Sequence, residues 1–345
     1  MQDNEVSKSI VNWYTLEKRD LPFRHSRDPY KIWLSEVMLQ QTKVITMLPY
    51  YRKWIKKYPD IKSVINTSYQ KLLKDWEGLG YYNRCLNFYN SLKIVYEDYN
   101  GQIPKDYTIF IKMPGVGDYT ASAVLSIAYN KKHILIDGNV KRVFSRYLGI
   151  KNLTKYNLLK IIKLLKILIQ FSNSNIFNQA IMELGALVCK KNDPMCFKCP
   201  INVNCIAFFR NNPQSYPKIF KKKIKPTLTY LSIIVRVKNK ILIIKNEGSL
   251  LNGLWDFPIL NFNIKYSFKY FLKEKINIKR KNTSLFELGF IKHSYSHFSM
   301  KVTYYEVFID EIIELKEAHR WITKKEITNY PFTKIFFKSF KLISN

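Results

Sequence analysis

Cysteine is scarce in this chain and unevenly placed. Of five cysteines in 345 residues, four fall between Cys189 and Cys205, and only Cys85 lies elsewhere. A disulfide-stapled secreted scaffold would spread more of them along the chain, so a reducing, cytoplasmic setting is expected. Acidic residues are also short. There are 26 Asp and Glu against 57 Lys and Arg, a formal charge of +31. That imbalance favours a polyanionic partner, DNA or RNA first. Part of the excess reads as compositional drift, because Lys, Ile, Asn and Tyr are over-used throughout. No apolar run reaches the length of a membrane span. The opening residues have neither a basic nor an apolar leader region, so no secretion signal is expected. Hydrophobic and charged contents of 47% and 24% fit a globular protein, and the length allows two domains.

The cysteine cluster organises what is present. It reads C-x6-C-x2-C-x5-C over Cys189, Cys196, Cys199 and Cys205. Structural zinc more often uses two short C-x2-C knuckles. One short pair between two longer spacers, with Pro200 beside the third cysteine, suits a cuboidal iron–sulfur cluster on four thiolates. Zinc is the alternative.

Several other stretches carry chemistry. Asp28 can cap a helix with Pro29 in its first turn. On that helix Ile32, Glu36 and Leu39 share one face, which puts a carboxylate on an apolar stripe. A carboxyl so placed is paired, exposed or raised in pKa, and a raised pKa suits a general acid. Gln40 and Gln41 follow, with amides able to read base edges. Gly78 and Gly80 bracket a turn before Tyr81 and Tyr82, where an aromatic could wedge into a base stack. Pro114-Gly115-Val116-Gly117 joins two helical patterns, and the second helix offers free N–H groups as a phosphate seat. Asp137 reads as the cap of a helix that carries Asn139, Lys141 and Arg142 in its first turns. Ionised in a cleft, such a carboxylate can stabilise a developing cation. Alone, each of these is an ordinary surface, cap or core residue; the hairpin and the cysteines are more specific.

The final third changes period. Leu228–Asn246 holds two strand-like runs around a Lys238-Asn239-Lys240 turn, and a helical pattern lies near Phe268–Lys275. With residues 253–258 (GLWDFP) and the strand-like run at 293–310, this suggests a small α+β domain. It resembles a Nudix fold without the acidic helix that hydrolases of that type use for magnesium, so binding rather than hydrolysis is expected.

The cysteine loop resembles that of the endonuclease III superfamily of DNA glycosylases. With LSEVMLQQT, GLGYY, MPGVGDYTASAVLS, LIDGNVKRV, FNQAIMELGA, GLWDFP and YSHF, nearly the whole chain resembles the MutY family of adenine DNA glycosylases. The resemblance implies a multi-domain fold. A mainly helical helix-hairpin-helix glycosylase domain spans 1–212, with a six-helix module at about 23–130 and the helix-hairpin-helix at 107–130. Residues 1–22 and 131–212 form its cluster subdomain. A basic linker at 213–226 and a Nudix-like mismatch-recognition domain at 227–345 follow.

It also implies one 4Fe–4S cluster and base-excision repair. The partner is duplex DNA with adenine opposite 8-oxoguanine or guanine, bound by a monomer with no membrane partner, in the cytoplasm at the nucleoid. Glu36, Asp137 and Tyr119 become catalytic residues, with Tyr119 positioning Asp137. Arg19, Arg24, Gln41 and Glu183 border the adenine. Gln40, Tyr81, Gly115, Gly117 and Asn139 contact DNA, and Ser296 and His297 read 8-oxoguanine. Lyase relatives carry a lysine just after the hairpin; here Tyr119 stands there, and a phenol cannot form an imine. Phe23 replaces the family's tryptophan, and Tyr295 its phenylalanine. The rival readings are a glycosylase/lyase for oxidised pyrimidines and a non-catalytic iron–sulfur DNA-binding protein.

Overall fold

The structure is a computed structural model and describes residues 2–218, 225–248, 251–261, 285–312 and 318–343. The helical pattern near 268–275 and the linker's middle, 219–224, lie outside the described residues. By contact the chain divides into two compact units: 1–65 with 87–221, and 66–86 with 222–345. The sequence assigns 66–86 to the six-helix module, but by contact it groups with the C-terminal unit.

In the first unit the helices are α1 Asp3–Glu17, α2 Pro22–His25, α3 Pro29–Leu39, α4 Val44–Lys57 and α5 Ile61–Ile65. Its Asp28 cap accepts from the Tyr30 N–H at 3.0 Å, which starts α3 where expected. Two helices, α6 Tyr69–Trp76 and α7 Asn83–Asp98, follow. The hairpin joins α8 Tyr107–Phe110 to α9 Asp118–Tyr129, and Asn130 ends α9 in the left-handed region at φ 55. Next come α10 Gly138–Tyr147, α11 Lys155–Leu168, α12 Ser174–Leu187 and α13 Ile206–Phe209. Trp33 of α3 sits edge-on to Phe88 and Phe110, 5.2 and 4.9 Å between centroids, and is buried with them. A second core joins Ile10 and Tyr14 of α1 to Phe144, Leu165, Phe177 and Ile181. These cores fix α3, α9, α10 and α12, which carry the functional groups.

The C-terminal unit is built on one sheet. Its strands are β1 Thr227–Val237, β2 Lys240–Lys245, β3 Trp255–Asp256, β4 Ile259–Asn261, β5 Leu285–Ser294, β6 Ser299–Phe308 and β7 His319–Thr323. The order is β3-β2-β1-β6-β5, with β4 on β1 and β7 on β2. β1 and β6 are parallel, whereas β1 and β2 form a hairpin through a two-residue turn with Lys238 at φ 50. Ile234 packs to one side with Trp255, Tyr304 and Phe336 of α14 (Lys334–Phe340). Ile233 and Val235 pack to the other with Leu242 and Val307. The period of two thus buries both faces. Segment 66–86 is tied to this unit by polar bonds. Gln70 bonds the Gly253 carbonyl and the Trp255 indole at 3.2 and 3.3 Å, and Lys74 donates to the Tyr330 carbonyl at 2.7 Å.

Candidate active site

A cavity of about 510 Å³ opens in the first unit, within the range of small-molecule sites. Glu36, Tyr119, Asp137 and Asn139 line it with Arg19, Arg24 and Glu183. The sequence nominated all seven. The apolar stripe on α3 explains the burial of Glu36, which is 5% exposed. Burial pushes its carboxyl up to about 7; the Tyr119 hydroxyl and Arg24 pull it down less, and Asp137 adds to the rise.

Asp137 caps α10. Its carboxylate accepts from the Val140 N–H at 2.7 Å and from Asn139 Nδ2 at 3.1 Å. Its own helix therefore holds it. The expectation that Tyr119 positions Asp137 gives way to a different contact, because the Tyr119 hydroxyl faces Glu36 and the Met182 thioether, 3.2 Å away.

Glu183 is fully buried on α12. Arg19 grips it at 2.7 Å with Nε and 2.7 Å with Nη2, and Arg24 Nη2 reaches it at 2.6 Å. Burial alone would raise its pKa. The Arg19 and Arg24 hydrogen bonds together outweigh that and hold it at about 2. One anion thus orients two guanidiniums at the cavity wall.

Other nominated residues lie elsewhere. Gln41 does not line the cavity: the chain turns at φ 58 there and leaves the residue exposed. Gln40 donates to Thr120 Oγ1 at 3.2 Å. Gly115 sits at φ 73, and a Cβ on it would meet the Asn87 Cβ at 2.7 Å, so glycine is required there. Gly117 is extended, with nothing within 4 Å of an added Cβ, so the turn itself does not need glycine at that point. Arg142 does not point out toward a phosphate. It donates to the carbonyls of Cys189 and Gly185 at 2.8 and 2.7 Å and to Asn139 Oδ1 at 2.9 Å. Tyr81, Ser296 and His297 belong to the C-terminal unit, the last two exposed at the β5–β6 turn.

Among the cavity residues that escaped the sequence reading are Gln179 and Met182. They sit four and one residues before Glu183 on α12, so helical spacing from Glu183 would have found Gln179.

The four clustered cysteines line a second, small and mostly apolar cavity with Val143, Val188 and Ile201. Arg146 is buried beside it, with Nη1 3.3 Å from Cys189 Sγ and 2.6 Å from the Lys190 carbonyl. Burial, then the three neighbouring cysteines, push the Cys199 thiol up to about 12. Among the described residues no three His, Cys, Asp or Glu side chains converge on a single-ion site. No described helix is long and apolar enough to cross a membrane.

Residues 34–166 match the HhH-GPD superfamily of base excision DNA repair proteins, and residues 230–342 match the NUDIX domain. An adenine DNA glycosylase of Buchnera aphidicola subsp. Schizaphis graminum is 35% identical over 300 residues, 86% of this chain and 85% of that one. Another, of Buchnera aphidicola subsp. Acyrthosiphon pisum, is 36% identical over 322 residues, 92% and 90% of the two chains. Among solved structures, a thermostable thymine-DNA glycosylase superposes with a TM-score of 0.56 at 29% identity, covering 61% of this chain and 98% of its own. The helical hairpin, the buried acid facing a capped aspartate, and these similarities converge: the chain belongs to the adenine DNA glycosylase family of the HhH-GPD superfamily.

Proposed function

We propose that the chain is a monofunctional adenine DNA glycosylase. It acts as a monomer on duplex DNA and removes adenine opposite 8-oxoguanine or guanine. The observation that carries this reading is Glu36: a buried carboxyl near pH 7 in its titration, in one cavity with Asp137. Two carboxyl groups whose surroundings differ are the arrangement for glycosidic cleavage.

The flipped nucleotide enters the cavity. Protonated Glu36 gives its proton to N7 of adenine. The bond between N9 and the sugar C1′ breaks, its electron pair goes to the base, and adenine leaves neutral. The sugar cation that remains is stabilised by Asp137, held ready by the α10 N-terminus. Water adds at C1′ and returns its proton to Glu36. Arg19 and Arg24, fixed by Glu183, border the base. Tyr119 offers no amine, so no Schiff base forms with the sugar.

Cys189, Cys196, Cys199 and Cys205 would hold one 4Fe–4S cluster. Their shared cavity supports this, because it brings the four sulfur ligands of the loop around one small apolar space. When bound, the cluster ties the loop at four points, and no step of the reaction passes through it.

The decisive experiment is base release from duplexes with adenine opposite 8-oxoguanine, guanine and thymine. Free adenine from the first two, with no adduct trapped by borohydride, is expected. A trapped adduct would favour the lyase reading, and binding without release the non-catalytic one.

A further inference from the structure

Tyr14 stands one layer behind the cavity. It lies on α1, is 4% exposed, and is not part of the lining. Two lining residues depend on it. Its hydroxyl donates to Gln179 Oε1 at 3.3 Å. Its ring carries the Arg24 guanidinium, 5.7 Å from the centroid. Gln179 comes from α12 and Arg24 from α2, so one side chain braces two walls.

The ring itself is ordinary core, packed with Ile10, Phe177 and Ile181. The hydroxyl is not explained that way. A phenylalanine would fill the same space, and a buried hydroxyl whose bond to Gln179 is 3.3 Å long adds little stability. What it does is hold an amide. Asn175, one turn earlier on α12, lies against the other end of the Gln179 amide. Between the two, the amide keeps its place at the cavity wall.

We propose that Tyr14 is a positioning residue: its hydroxyl fixes the Gln179 amide that faces the base to be released. This rests on the adenine-release reading above. Burial raises the phenol's pKa, with Arg24 tempering the rise, so the hydroxyl stays a neutral donor in the working range.

Tyr14→Phe keeps the ring beneath Arg24 and deletes the hydroxyl, with its bond to Gln179 and its contact with Arg24. Single-turnover adenine release would be measured for the parent, Tyr14→Phe, Gln179→Ala and the double variant. Tyr14→Phe should slow release about 3- to 10-fold, the size of one hydrogen bond. In the Gln179→Ala background the same change should have a clearly smaller effect, what remains passing through Arg24. Melting temperature and iron content should match the parent. Equal rates for parent and Tyr14→Phe would overturn the inference. So would a slowdown of the same size in both backgrounds, with a lowered melting temperature, which is what plain core packing gives. A parent that releases no adenine from any duplex would instead overturn the reading beneath it.

Discussion

The hydroxyl of Tyr81 lies 2.6 Å from Oγ of Ser296, although 215 residues separate them. The family resemblance expects one as a wedge beside 8-oxoguanine, on a glycine-rich turn, and the other as a reader of that base. In the structure they share a compact unit and a hydrogen bond. Tyr81 has φ 51, and Arg84 lies over its ring at 5.3 Å while donating to the Gly80 carbonyl at 2.9 Å. The turn is therefore held, and the two side chains proposed as wedge and reader are joined by a hydrogen bond.

The first prediction concerns that place. 8-Oxoguanine differs from guanine by a carbonyl at C8 and a proton on N7, and Ser296 and His297 are exposed polar groups on a short turn. Ser296→Ala with His297→Ala should leave fold and iron content unchanged. The preference for adenine opposite 8-oxoguanine over adenine opposite guanine should fall by about 1–3 kcal/mol in single-turnover rates. Undiminished discrimination would move recognition to Tyr81.

Glu36 gives the second. Its carboxyl titrates at about 7, raised by burial, and the proton-bearing form is the one that acts. Base release should therefore hold steady below that value and fall about tenfold per pH unit well above it. Glu36→Gln should bind duplex normally and release adenine at least about 10²-fold more slowly. A flat profile through neutral pH would remove Glu36 from the role of acid.

What the sequence made legible was local chemistry. Asp28 and Asp137 are caps because a cap needs only the next three residues. The hairpin at Gly115 and the cysteine loop are also short-range patterns. Glu36 was legible because helical period alone sets it on an apolar face. What escaped depends on partners far along the chain. Arg142, in the first turns of its helix, could reach phosphate by its sequence position, yet the carbonyls of Cys189 and Gly185 take it up. Gln41 is turned out of the cavity by one positive φ, a backbone event no motif records. Tyr14 reads as core and is core; its second task shows only when α12 is laid beside α1.

The cysteine loop yields the third prediction. Purified protein should be brown and carry about four irons per chain. Cys199→Ala should lose the iron and open the loop to proteolysis between Pro194 and Cys205, where the backbone forms only short 3-10 turns. One zinc and no iron in the native protein would refute the cluster.

The last prediction turns on Glu183. Among the described residues it is the acid in ion-pair contact with both Arg19 and Arg24, and it has no access to solvent. Its partners differ. The Arg19 side chain is 37% exposed and can rehydrate if released, whereas Arg24, at 11%, cannot. Removing the charge by Glu183→Gln therefore strands a buried cation, which costs about 3 kcal/mol, the lower end for a broken buried pair. The pH dependence has a definite sign. The folded carboxyl sits at about 2, below its ordinary 4.5, so its stabilisation is present above the ordinary value and lost as pH falls through the folded one. The stability gap between parent and Glu183→Gln should be constant near neutral pH and narrow only from about 4.5 toward 2. Denaturant unfolding across that window measures it. A gap that stays wide at the acid end would mean that Glu183 acts by shape rather than charge. Release of adenine should fall in the same variant, since both guanidiniums at the cavity wall lose the anion that aims them.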